Sequence, residues 1–184
     1  MPNSLHSNKI IPERLESYIT EALSFYLDLT DVHIEFKLSS RIKKSVMQAQ
    51  PKFVTMHRSR KNRSYLVKIS PYFHVSEREI SIFDVPRKVL VGWIGHELGH
   101  IMDYLDKGKF SMIVYGLLYL SSKDFIIEAE RAADTFAVEH GLGEHILATK
   151  NYILNEAGMS LEYIKRINKL YLPPEKIIQM MKDT

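Results

Sequence analysis

The chain has 184 residues, 45% of them hydrophobic and 26% charged, ordinary proportions for one globular domain with a sizeable core. A formal net charge of +3 is too small to argue for nucleic acid as a partner. The absence of cysteine excludes disulfides, a cysteine–zinc site and a cysteine nucleophile. Residues 1–9 are polar and lack the charged start and apolar stretch of a secretory signal. The expectation is therefore a cytoplasmic protein with a mobile tail over 1–10 and a single domain over 11–184.

Taken in chain order, Pro12 opens an amphipathic helix reaching about Leu29, with Leu15, Tyr18, Ile19, Ala22, Leu23 and Tyr26 on its apolar face. Residues 32–38 alternate strictly and predict a half-buried strand. Residues 53–57 and 64–70 read as two further strands, joined through 58–63, where four of six residues are basic. That stretch reads as a solvated hairpin tip; contact with an anionic surface is the sharper alternative. A helix follows over 85–107, with Asp84 as its N-cap, Pro86 in the first turn and Gly108 as its stop. Helical segments are expected over 109–120, 122–140, 144–156 and 160–170, and a short one over 175–182 after the break at Pro173 and Pro174. One helix, a small antiparallel-containing sheet and a mainly helical C-terminal half make the fold class α+β.

The helix over 85–107 carries His96-Glu97-Leu98-Gly99-His100, an HExxH motif. Histidines four apart lie about 40° apart around a helix and one turn along it, so both imidazoles can reach one metal ion. Glu97 projects to the side, where it can reach a water on that metal. By composition the motif arises by chance in about one percent or fewer of chains this long. Apolar neighbours (Val89, Leu90, Val91, Trp93, Ile94, Leu98, Ile101, Met102 and Leu105) predict burial, and buried imidazoles need a partner for their nitrogens.

Catalytic zinc usually has three protein ligands and one open position. Asp106 lies ten residues after His96, but an unbroken helix would carry it about 15 Å along the axis. Glu130 is the better candidate. Glu130 and Asp134 are four apart and share a helical face, and the small Ala133 and Ala137 would let that helix approach the first one closely. Asp134 would then accept a hydrogen bond from the non-ligating nitrogen of a metal-bound histidine, His96 being the expected one. Glu128 lies on another face.

HExxH followed by Glu130-Arg-Ala-Ala-Asp134-Thr-Phe-Ala resembles the gluzincin clan of metallopeptidases. Over about 52–142 the chain resembles the soluble minigluzincin relatives of the CAAX prenyl endopeptidase and heat-shock membrane protease family. The resemblance implies a zincin-like fold, one Zn2+ per chain, and hydrolysis of peptide or protein substrates. It makes His96, His100 and Glu130 the metal ligands, Glu97 the general base and Asp134 the carboxylate behind a ligand. Unlike the membrane members, this chain has only 110–120 as a strongly apolar stretch between the motifs, far short of the ~20 residues that span a bilayer. That stretch reads as a core helix, with peripheral membrane or partner docking as the alternative. His140, His145, Tyr104 and Tyr152 are the residue types suited to stabilising an oxyanion, and sequence does not choose among them. Residues 144–184 either complete the core or cover the cleft and hold the enzyme latent; on the latter view, deleting 168–184 raises activity. Two other functions stay open: an inactive zincin-like scaffold, and a narrow-specificity protease of the repressor-cleaving type.

Overall fold

The computed structural model describes residues 8–42, 45–56, 58–59, 62–75, 78–107, 118, 121–156 and 161–183. Four strands, β1 (Lys9–Ile10), β2 (His33–Leu38), β3 (Met47–Pro51) and β4 (Ser64–Ile69), form one sheet in the order β1-β2-β4-β3. β1 and β4 run parallel to β2, and β3 runs antiparallel to β4. A separate antiparallel hairpin joins β5 (Tyr72–Val75) to β6 (Arg78–Ser81). Alternate residues of the central strands, Ile34 and Phe36 on β2 and Tyr65, Val67 and Ile69 on β4, enter the core, the period-2 pattern of a half-buried sheet. Six α-helices are described: α1 (Glu16–Ser24), α2 (Arg87–Asp106), α3 (Lys123–Ala137), α4 (Gly143–Asn151), α5 (Leu161–Leu170) and α6 (Pro174–Asp183). The fold is mixed α+β with a small sheet and mostly helical content.

α2 is the axis of the molecule. Its residues from Val89 to Ile101 are all buried, and it packs against α1, β3, α3 and α4. Two of its glycines make the closest approaches possible. A Cβ at Gly99 would lie 2.3 Å from the Ala133 carbonyl oxygen of α3, and one at Gly92 would lie 2.4 Å from Thr149 Oγ1 of α4. Backbone therefore meets backbone where α2 and α3 cross, as the small Ala133 predicts. Tyr26 ties the end of α1 to α2 by donating its hydroxyl to Gly95 O at 2.7 Å.

Several expectations are corrected. The N-cap of α2 is not Asp84, which lies in a 3-10 turn (Ile82–Asp84) capped by the Ser81 side chain. Val85 is extended (φ −77, ψ 139) and the helix starts at Arg87, because a residue before proline is pushed out of the helical region. The first helix is shorter than predicted and flanked by 3-10 turns at Glu13–Leu15 and Leu27–Leu29. Residues 53–55 form a 3-10 turn with Phe53 and Val54 exposed, not a strand; the strand is Met47–Pro51. Lys9 and Ile10 belong to the sheet rather than to a tail.

Arg63 is not part of a solvated tip. It is 2% exposed and donates to Lys107 O at 2.9 Å, capping the C-terminal end of α2. The Gly108 stop expected for α2 and the core helix expected over 109–120 lie outside the described residues except for Leu118, which is helical and exposed. Among the described residues no helix is long and apolar enough to cross a membrane.

Candidate metal centre

α2 and α3 bring three predicted ligands together. One nitrogen each from His96 and His100 and one carboxylate oxygen of Glu130 all lie within 4.8 Å of one another, and all three residues are buried. His96 Nε2 is 3.1 Å and His100 Nε2 3.5 Å from Glu130 Oε2. The two imidazole rings stand edge to face, 4.8 Å apart. Asp134, one turn beyond Glu130, accepts from His96 Nδ1 at 2.8 Å. Asp106 and Glu128 are exposed and outside this group.

The donor chemistry fits a cation. With its Nδ1–H given to Asp134, neutral His96 presents a lone pair at Nε2 to the lone pairs of Glu130 Oε2 at 3.1 Å. Two acceptors do not meet at that distance without positive charge between them. In the metal-free chain a proton supplies it. Burial alone would lower the His96 pKa, but the hydrogen bonds to Asp134 and Glu130 outweigh burial and raise it to about 10. Burial likewise pushes Glu130 and Asp134 upward, and it is overcome in both: His100 and His96 hold Glu130 well below the carboxylate range, and Lys150 and His96 lower Asp134. A divalent ion held by two imidazoles and a carboxylate would take the place of that proton. His100 Nδ1 is buried and has no hydrogen-bond partner among the described residues.

Glu97 lies beside the group and is buried. Its Oε2 accepts from Ala49 N of β3. Burial raises its pKa, with opposing contributions from His100 and His96, a carboxylate displaced toward the working range of a general base. The register of β3 explains the contact. Val46 O and Lys52 N bond to β4, so the even-numbered peptide groups face β4 and the odd-numbered ones face outward. β3 is thus the edge strand lying along α2. β4 is interior between β2 and β3. Tyr104 also reaches this edge, with its hydroxyl 3.4 Å from Ala49 O and its ring stacked on His100 at 6.2 Å.

Of the residues considered for an oxyanion, His140 stacks on Tyr26 and bonds Phe136 O, His145 faces Glu21 and Phe25, and Tyr152 meets the edge of Trp93. Only Tyr104 touches the ligand group. Sequence reasoning missed Tyr171, in the link between α5 and α6. Its ring lies 5.4 Å from that of His96, and burial followed by Glu130 raises its pKa well above the usual value. It also missed Lys150, 4% exposed, which donates to Asp134 Oδ2 at 2.8 Å. A cavity of about 540 Å³, counting its open mouth, adjoins His96 and Glu97; Met47, Trp93, Ile146 and Ile167 line it among others. No family model matches the chain, and neither does any curated protein or solved structure at the similarity required.

Proposed function

We propose that the protein is a zinc-dependent metalloendopeptidase with a zincin-like architecture, resembling the soluble gluzincins. The observation that carries the reading is the convergence of His96, His100 and Glu130 with Glu97 beside them. A metal ion held by that group would supply Lewis acidity, lowering the pKa of a water toward ~7 and polarising a carbonyl. His96 and His100 would hold it through Nε2 and Glu130 through its carboxylate, and Asp134 keeps the His96 proton on Nδ1. Glu97 takes a proton from the attacking water at its carboxylate and delivers it to the leaving amine. The Ala49 N–H holds that carboxylate against the edge strand, where an extended peptide can add by backbone hydrogen bonds. Burial of the ligands keeps bulk water from weakening these interactions.

The test is metal content per chain together with cleavage of an unstructured protein. About one zinc per chain, lost in both His96→Ala and Glu130→Ala, and cleavage abolished by Glu97→Gln with zinc retained, are the expected results. No uptake of zinc at neutral pH would overturn the reading. A latent form of the same enzyme is the second reading, favoured by the Tyr171 ring packed against His96.

A further inference from the structure

We infer that Lys150 is a positioning residue for the metal centre: from α4 it holds Asp134 in the one orientation that aims the His96 ring at the metal. The inference rests on the metallopeptidase reading. Asp134 is 1% exposed and its two oxygens have separate tasks. Oδ1 faces His96 Nδ1 at 2.8 Å, while Oδ2 accepts from Lys150 Nζ at 2.8 Å and from Leu172 N at 3.0 Å. Two donors on Oδ2 fix the carboxylate plane, so Oδ1 has a defined direction in which to receive the His96 proton. The ammonium also balances the carboxylate, which would otherwise sit as an uncompensated charge in the interior.

Lys150 is itself held in place. Its Nζ lies over the Tyr171 ring, 4.0 Å from the centroid. The preceding residue, Thr149, packs directly against Gly92 of α2, its hydroxyl shared between His145 O of its own helix at 2.9 Å and Val89 O of α2 at 3.2 Å. The helix that carries Lys150 is therefore locked to the helix that carries His96, and a third helix takes part in orienting a ligand contributed by the first. A buried lysine stabilising the fold alone would need any carboxylate; this one is bonded to the carboxylate that orients a ligand.

The test is a zinc titration of the full chain against a chelator of known affinity, for wild type, Lys150→Met, Asp134→Asn and the double variant. Lys150→Met is expected to weaken zinc binding by about 10- to 100-fold, the usual effect of removing support behind a ligand, and to add little further loss in the Asp134→Asn background. Non-additivity of this kind is the mark of action through Asp134, and a merely structural role would lower the melting temperature without producing it. Unchanged affinity in Lys150→Met overturns the inference, as does an equal loss with and without Asp134. Should Lys150→Met not fold, Lys150→Gln, which keeps an N–H donor for Asp134, is titrated in its place and judged by the same two results, with a smaller expected loss. Absence of zinc binding in wild type overturns the metallopeptidase reading and this inference with it. Zinc bound by wild type and by Lys150→Met alike overturns only the inference.

Discussion

At the scale of single residues the centre is a balance of charge on buried groups. His96 holds a proton that burial disfavours, because Asp134 and Glu130 flank both of its nitrogens. A pKa raised from 6.5 to about 10 favours the folded state wherever the ring is protonated. That contribution is complete below the unfolded value of 6.5 and is lost as pH rises through about 10. Asp134 and Glu130 are lowered, so their contributions are present above the ordinary carboxylate range and fade as pH falls through their folded values. Metal-free protein is therefore expected to melt at progressively lower temperature from pH 7 to pH 10. Zinc-loaded protein, whose His96 must give up the Nε2 proton to bind, should lack that decline. A flat metal-free profile across this window would contradict the assigned hydrogen bonds. Glu97 is read by its chemistry: Glu97→Gln should leave the melting temperature and zinc content close to wild type and reduce cleavage by at least ~100-fold, the low end for loss of a general base.

At the scale of elements, the crossing of α2 and α3 makes the centre, and its spacing is set by Gly99. A methyl group there would lie 2.3 Å from the Ala133 carbonyl, which is backbone and has no room to yield, whereas one at Gly95 would meet only Leu142 Cδ1 at 2.6 Å, the end of a side chain. Gly99→Ala is expected to destabilise by about 1–3 kcal/mol, as overpacking does, and to weaken zinc binding by moving Glu130 away from the histidines. Gly95→Ala should cost less and leave zinc affinity unchanged. Urea denaturation and zinc titration of the two variants decide it; equal effects would place the restraint elsewhere. Both helices were legible in the sequence because their chemistry repeats at helical spacing: His96 with His100, Glu130 with Asp134, and alanines where the helices touch. β3 was not. Met47-Gln-Ala-Gln-Pro51 alternates apolar and polar but has no β-branched or aromatic residue and ends in proline, while Phe53-Val-Thr55 has the right composition and forms a turn with Phe53 and Val54 in solvent. Lys150 was illegible for a different reason. Its neighbours on the helix face, Ile146, Leu147, Ile153 and Leu154, are apolar and marked a buried position, but a lysine is read as solvated by default, and the carboxylate that pairs with it lies on another helix.

At the scale of the whole molecule, the C-terminal segment both completes the core and stands over the centre. Ile167 and Ile177 are buried, and Met181 lies against Gly143. Between α5 and α6 the link presents the Tyr171 ring to His96 and the Leu172 N–H to Asp134. Removing residues 168–184 therefore does two opposed things. It uncovers the centre, and it strips a fully buried isoleucine, worth about 1.5–3 kcal/mol of burial, together with a donor to the carboxylate that orients His96. Such a truncation should melt well below wild type and bind zinc more weakly, so a change in its activity would not report on latency alone. Tyr171→Ala separates the effects, since it clears the ring from His96 while leaving the backbone N–H of Leu172 and the packing of Ile177 in place. If the segment restrains the enzyme, Tyr171→Ala should raise the cleavage rate of a short peptide at saturating zinc, even though loss of the ring under Lys150 lowers zinc affinity somewhat. If cleavage falls while zinc stays bound, the phenol belongs to the catalytic machinery, and the C-terminal half is part of the active enzyme rather than a cover over it.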